Sequence, residues 1–190
     1  MPDPIRIELP VSRETLARLA AGDEVLLSGP VYTARDAGHE RLLAALAETG
    51  ELPFGLVGQT LFYAGPTPAV EGYPAGSVGP TTAKRMDSAT PALLRAGIVA
   101  AIGKGSRSDE VRVAFAETGS VYFAAVGGAA ALLGAHVVDA EPVAWPELGT
   151  EALVRLILSD FPAFVAIDAA GEDLYETAPA EWRAETGGSL

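Results

Sequence analysis

The 190-residue chain contains no cysteine. Disulfides are therefore excluded, and so is any thiolate-ligated metal or iron–sulfur cluster carried by this chain alone. Histidine is almost as scarce: His39 and His136 stand far apart with no H-x-x-x-H spacing, so no self-contained zinc site is expected. Positive charge is short as well, with 13 Lys and Arg against 25 Asp and Glu and a net charge of −12. Nucleic acid and anionic membrane are disfavoured as partners, because phosphate binding needs clustered cations. No apolar run is long enough to span a bilayer, and no basic N-terminal region leads into an apolar stretch. The expectation is a cytoplasmic protein without a secretory leader.

What is present is enough for a substantial core: 49% of residues are hydrophobic and only 20% are charged. No composition shift divides the chain, which reads as a single domain over 1–190 with a loose tail at 183–190. Ile5–Leu9 alternates apolar and polar positions and reads as a strand; Ser12 is placed to cap a short helix through Leu19. Glu24–Ser28 and Val31–Thr33 read as two extended segments around Gly29-Pro30. The spacing of Leu42, Leu43 and Leu46 marks an amphipathic helix over 36–47. Thr60–Ala64 reads as a strand within a loop-rich stretch. Thr90-Pro91 then starts a helix that Gly97 ends.

Further on, Ile98–Ile102 and Val121–Val126 read as apolar strands. Between them Ser108 caps a helix that ends at Gly119, and Gly127-Gly128 opens an Ala/Leu helix. His136–Val143 is extended, with His136 read as a packing residue. Leu153–Leu158 fits strand or helix, and Phe161-Pro162 is expected to close it. Phe164–Asp168 and Leu174-Tyr175 read as a final hairpin. Alternating strands and helices from Thr90 to Val143 predict an α/β fold with a mixed sheet.

Three segments put a cation beside glycine or proline where a strand-like run meets a helix: Thr33-Ala34-Arg35-Asp36, Gly79–Arg85 and Gly103-Lys104-Gly105. Ligands of open α/β sheets bind outside strand ends, so these loops are candidates to converge. If Arg35, Lys84, Arg85, Lys104 and Arg107 gather, they form a basic island in an acidic protein, suited to a small anionic substrate. A helix beginning after Pro80 would place Thr81 and Arg85 on one face, at an N-terminus that favours a carboxylate. Each segment also has a plain structural reading. Thr81-Thr82 serve as a helix cap, Asp87 pairs with Arg85 or Lys84, and Arg35 pairs with Asp36. Neither Gly-Lys-Gly nor Gly127-Gly128 completes a nucleotide-binding motif.

Gly29-Pro-Val-Tyr-Thr-Ala-Arg-Asp-Ala-Gly-His39, Gly79-Pro-Thr-Thr-Ala-Lys-Arg-Met-Asp87, Gly103-Lys-Gly105 and Val121–Leu133 occur in that order. With them the chain resembles the β subunit, or C-terminal domain, of class I iron–sulfur fumarases and L-tartrate dehydratases. The likeness runs from Ile5 through Tyr175 and includes Asp160-Phe-Pro-Ala-Phe164. It implies a swivelling β/β/α domain of a hydro-lyase, fumarate hydratase first, with L-tartrate dehydratase or mesaconate hydratase as alternatives. It also implies a cysteine-bearing α subunit as partner, which holds the 4Fe-4S cluster and supplies the Lewis acid, and a dimer of αβ units. This chain would bind no metal. By motif position, the resemblance makes Thr81 the catalytic base and Arg35, Arg85 and Lys104 the binders of the dicarboxylate. Thr82, Asp36 and Asp87 would orient the arginines, and His39 would buttress the Arg35 loop. A reading of another class is a non-catalytic binding or assembly module with the same fold.

Overall fold

The computed structural model describes residues 3–187. Its strands are β1 (Ile5–Glu8), β2 (Glu24–Thr33), β3 (Thr60–Phe62), β4 (Ala100–Gly103), β5 (Val121–Ala124), β6 (Val137–Ala144) and β7 (Leu153–Ile167). Its α-helices are α1 (Arg13–Leu16), α2 (Asp36–Thr49), α3 (Thr90–Arg95), α4 (Asp109–Thr118), α5 (Ala130–Gly134) and α6 (Leu174–Thr186). Two 3-10 turns, Ala83–Met86 and Pro146–Glu151, lie in the connections. Among the described residues no helix is long and apolar enough to cross a membrane.

The seven strands form one mixed sheet in the order β1-β2-β3-β4-β5-β7-β6. β1 to β5 pair with one another in parallel; β7 runs antiparallel to β5, β6 and also β2. Because β7 pairs with both β2 and β5, the sheet folds back on itself. Short apolar strands such as Thr60-Leu-Phe62 and Val121-Tyr-Phe-Ala124 suit this arrangement, since both faces of a parallel strand are covered.

Alternate side chains serve two cores. Phe62, Ile102 and Phe123 point inward with Val25, Leu27, Leu156 and Phe161, between the two halves of the folded sheet. Leu61, Ala101 and Tyr122 point outward against Leu42, Leu93, Leu94 and Phe115 of the helices α2, α3 and α4. The layers are thus β/β/α, as the resemblance implies. Each fully buried Leu or Phe contributes about 2 kcal/mol through removal of apolar area from water.

Several expectations are corrected. The segments on either side of Gly29-Pro30 are one strand, β2, with an irregularity opposite Asp160. Gly29 has φ +113°, and a Cβ there would sit 2.4 Å from the Leu9 carbonyl oxygen, so only glycine passes. Pro162 does not end β7. It pairs with Leu26 on one side and falls between the residues of β7 that pair with β6 and those that pair with β5, so its missing N–H breaks no ladder there. The final hairpin is reduced to one antiparallel bridge, Ile167 to Asp173, after which Leu174-Tyr175 starts α6 instead of a strand, its N-cap Asp173 accepting from the Tyr175 amide. Residues 183–186 are helical, and 188–190 lie outside the described residues. The helix expected after Pro80 is a four-residue 3-10 turn that starts only at Ala83.

Candidate functional site

β2, β3, β4 and β5 end at the same edge of the sheet, with Thr33, Phe62, Ile102 and Phe123 in register across it. The loops leaving that edge carry the residues singled out in the sequence. Arg35 follows β2 by two residues, Lys104 follows β4 directly, and Gly127-Gly128 lies just beyond β5. Thr81 enters from the long segment after β3 and is fixed by its backbone. Its amide donates to the Tyr63 carbonyl at 2.6 Å, and its carbonyl accepts from the Lys104 amide at 3.3 Å. Thr82 bridges to Lys104, whose carbonyl accepts from the Ala83 amide at 2.9 Å. The segment 81–83 and Lys104 therefore form a short extension of the sheet, with Thr82 as the partner of Lys104.

This geometry replaces the helix-start anion site. Thr81 is extended and precedes the 3-10 turn, so it does not stack under Arg85 in an α-helix, and Thr82 makes no side-chain capping bond. Arg85 reaches the site by another route. It donates from Nε and Nη2 to the two carboxylate oxygens of Asp36 at 3.0 and 2.6 Å. Asp36 adjoins Arg35, so the loops carrying the two arginines are tied together. Asp36 thereby orients Arg85 as expected, rather than pairing with Arg35.

Arg35 occupies the N-cap position of α2 and extends toward Glu151, Nη2 to Oε1 3.4 Å, while its buried Nε has no partner. The other Glu151 oxygen accepts from the Ala37 amide at 2.9 Å, satisfying a free donor in the first turn of α2. A Cβ on Gly65 would press to 3.0 Å from Arg35 Cδ and 2.6 Å from the Thr150 carbonyl oxygen. Glycine at 65 thus leaves room for the Arg35 stem. Nothing in the sequence motifs pointed to Glu151.

Lys104 extends over Gly127, where a Cβ would stand 3.1 Å from its Cδ and 3.4 Å from its Nζ. Among the described residues Lys104 has no ion-pair partner, unlike Arg35 and Arg85. Its charge is available to an incoming anion.

His39 lies beneath this edge as a buttress. It is buried, its Nδ1 is 2.8 Å from the Arg35 carbonyl, and its ring meets Tyr63 edge-on at 5.1 Å. Burial pushes its pKa down to about 4, so the ring is neutral at physiological pH and Nδ1–H donates to that carbonyl. A cavity of about 110 Å³ between His39, Asp36, Arg85, Met86 and Ser88 lies behind the Arg85 loop.

Two expected placements fail. Arg107 does not join an open basic island; it is buried among Tyr63, Phe115 and Tyr122. Asp87 pairs with neither Arg85 nor Lys84 but with Arg107, Nε to Oδ1 2.7 Å. Burial alone would disfavour the Arg107 charge, yet Tyr63 and Asp87 more than offset it and its pKa stays raised. Burial likewise pushes the Tyr122 phenol up, so it remains a neutral donor to the Gly105 carbonyl.

The residue pattern agrees with a defined family: the model of the fumarase C-terminus matches residues 2–178. The chain belongs to the fumarase C-terminus family. Relatives in this family include "Fumarate hydratase class I, anaerobic" of Escherichia coli (strain K12), 37% identical over 169 residues, covering 86% of this chain and 31% of that protein. "Fumarate hydratase 2" of Leishmania major is 36% identical over 165 residues, covering 86% of this chain and 29% of that protein. A "Putative L(+)-tartrate dehydratase subunit beta" of Methanocaldococcus jannaschii is 36% identical over 172 residues, covering 87% of this chain and 88% of that protein. The chain thus spans about a third of the fumarate hydratases and nearly the whole of the tartrate dehydratase subunit.

An iron–sulfur cluster does not fit the residues of this fumarase C-terminus domain. The sequence has no cysteine, and no group of three or more His, Asp or Glu among the described residues could hold a metal ion.

Proposed function

We propose that this chain is the β subunit of a two-subunit hydro-lyase that interconverts fumarate and L-malate. The observation that supports the reading is that the Thr81 and Lys104 segments are hydrogen-bonded neighbours through their backbones, while Asp36, next to Arg35, holds Arg85 at the same strand edge. The cluster of the assembled enzyme belongs, in this reading, to the cysteine-bearing α subunit. The name of the archaeal relative, a subunit beta, supports a partner of that kind.

The chemistry assigned to this chain's own residues is the removal of a proton next to a carboxylate. Malate loses a proton from the carbon beside its hydroxyl-bearing carbon, and water departs to leave the double bond. Arg35 and Arg85 hold carboxylates through the guanidinium N–H groups that Glu151 and Asp36 leave free. Lys104, without a carboxylate partner, stabilises the enolate-like charge that develops as the proton leaves. We assign Thr81 Oγ1 as the base: its hydroxyl first gives its proton to solvent, the cations gathered at this edge lower the cost of the alkoxide, and the alkoxide then takes the substrate proton.

A second reading keeps the site and changes the substrate to L-tartrate. It is favoured by the near full-length match to a putative tartrate dehydratase subunit. Co-expression with the α subunit under anaerobic conditions, followed by kcat/KM for malate, L-tartrate and mesaconate, separates these substrates. Full turnover by this chain alone after metal stripping would overturn the two-subunit reading. Absence of turnover on all three acids by the loaded complex would favour a binding or assembly module.

A further inference from the structure

The loops bearing Thr81, Arg85 and Lys104 are fastened together at two points. One is the backbone pairing of residues 81–83 with Lys104. The other lies on the core side of the same loops and consists of side chains. Arg107 follows Lys104 by three residues and Asp87 follows Arg85 by two. Their ion pair therefore spans from one cation-bearing loop to the other. Asp87 uses both oxygens, one toward Arg107 Nε at 2.7 Å and one toward the Ser108 amide at 2.8 Å.

The remaining hydrogen bonds leave one consistent assignment. The Thr90 hydroxyl donates its only proton to the Met86 carbonyl at 2.8 Å, so it accepts from Arg107 Nη2 at 2.7 Å and from the Tyr63 hydroxyl at 3.1 Å. Tyr63 in turn lies 3.5 Å from Arg107 Nη1. The guanidinium thus grips the 3-10 turn through Asp87 and, by way of Thr90, through Met86. Its faces lie 5.1 to 5.9 Å from the ring centres of Tyr63, Phe115 and Tyr122. The Arg107 side chain is 0% exposed, so it cannot itself reach a substrate. Burying a charge this completely is costly unless every donor is engaged, and a simple apolar plug would fill the space at lower cost. The elaborate bonding fits a positional demand.

We propose that Arg107 and Asp87 are positioning residues that hold Thr81, Arg85 and Lys104 in register, a role that rests on the assignment of those three as the substrate site. Only a planar fork satisfies Asp87, Thr90 and Tyr63 together, so charge alone is insufficient. In the co-expressed complex, Arg107→Lys keeps the charge and loses the fork. Its expected effect is a drop of about tenfold or more in kcat/KM. The cycle with Lys104→Ala is the discriminating measurement: the Arg107→Lys loss should shrink at least about threefold once Lys104 is gone, with the remainder acting through Thr81 and Arg85. A loss that persists in full in the Lys104→Ala background would overturn the proposal, since general destabilisation is indifferent to Lys104.

A second readout is independent of turnover. Backbone hydrogen exchange on the full chain should show the Lys104 and Ala83 amides losing protection in Arg107→Lys and Asp87→Asn, while the amides of β1 and β2 keep theirs. Unchanged protection at Lys104 and Ala83, or equal loss throughout, would count decisively against the clasp. If the complex is inactive on every dicarboxylate, the functional reading falls, and this exchange pattern still decides whether the pair registers the loops.

Discussion

Asp36 and Arg85 are 49 residues apart in sequence and meet through two parallel hydrogen bonds, Nε to Oδ1 and Nη2 to Oδ2. A carboxylate at the start of α2 thereby sets the plane of a guanidinium on another loop. Both side chains are partly exposed, 33% and 50%, so the pair contributes under about 1 kcal/mol to stability. Asp36→Asn is expected to leave the unfolding midpoint nearly unchanged and to raise KM for the dicarboxylate by roughly tenfold. Steady-state kinetics of the complex beside urea melts of the chain check both halves. A large loss of stability with normal KM would assign Asp36 to the fold instead.

Gly127 supplies a sharper test of Lys104. Its φ is not in the left-handed region, so alanine meets no backbone strain there, in contrast to Gly128 at φ +80°. The added methyl would press on the Lys104 stem at 3.1 Å and move the ammonium. Gly127→Ala is expected to lower kcat/KM roughly tenfold at unchanged stability. Gly128→Ala, with open space around it, is expected to cost about 1 kcal/mol of stability and little activity. Identical behaviour of the two variants would remove the argument from Lys104.

That Arg35, Thr81, Arg85 and Lys104 stand in loops beyond strand ends is legible in the sequence, because glycine and proline mark where strands stop and loops begin; their choice as site residues rests on the family resemblance. Parallel strands whose ends lie in register then carry those loops to one edge. Pairings across the chain were not legible. Glu151 reaches Arg35 from a 3-10 turn beyond β6, and Arg107 meets Asp87 only after α3 and α4 have packed. Neither partner has a fixed spacing to the residue it serves. The same limit hid the single strand β7. Pro162 reads locally as a stop, and only the mismatch in length between its neighbours β5 and β6 lets it pass. Leu174-Tyr175 looked extended because its apolar pair is short, while the Asp173 cap that starts α6 shows itself only with the backbone in place.

Thr81 is testable apart from its location. If its hydroxyl takes the substrate proton, Thr81→Ala is expected to reduce kcat by about 100-fold or more with KM within a factor of about two. Thr81→Ser keeps the oxygen and should retain most of the rate. A Thr81→Ala enzyme with raised KM and normal kcat would make Thr81 a binding group, and the base would then lie on the partner.

His39 makes the fold, rather than the chemistry, sensitive to acid. Its folded pKa of about 4 lies below the ordinary 6.5, because burial disfavours the charged ring and the donated bond to the Arg35 carbonyl only partly compensates. Between those values the unfolded chain binds a proton that the folded chain refuses, so this contribution to stability is complete above pH 6.5 and is lost as pH falls toward 4. The shift corresponds to roughly 3 kcal/mol across the window. Carboxylates titrate there too, so the comparison must be with His39→Gln, which lacks the titrating ring. Urea midpoints measured from neutral pH down to about 4 should fall more steeply for the wild type than for His39→Gln. Protonation keeps the Nδ1–H bond to Arg35 but places a charge at the buried, unpartnered Nε2, so it should open the first turn of α2 and the Arg35 loop before the sheet unfolds. Loss of protection at the His39 amide, which donates to the Arg35 carbonyl at 2.8 Å, is the early sign to look for. Parallel acid profiles for the two proteins would mean that His39 takes up its proton equally in the folded and unfolded chain and does not set the acid limit.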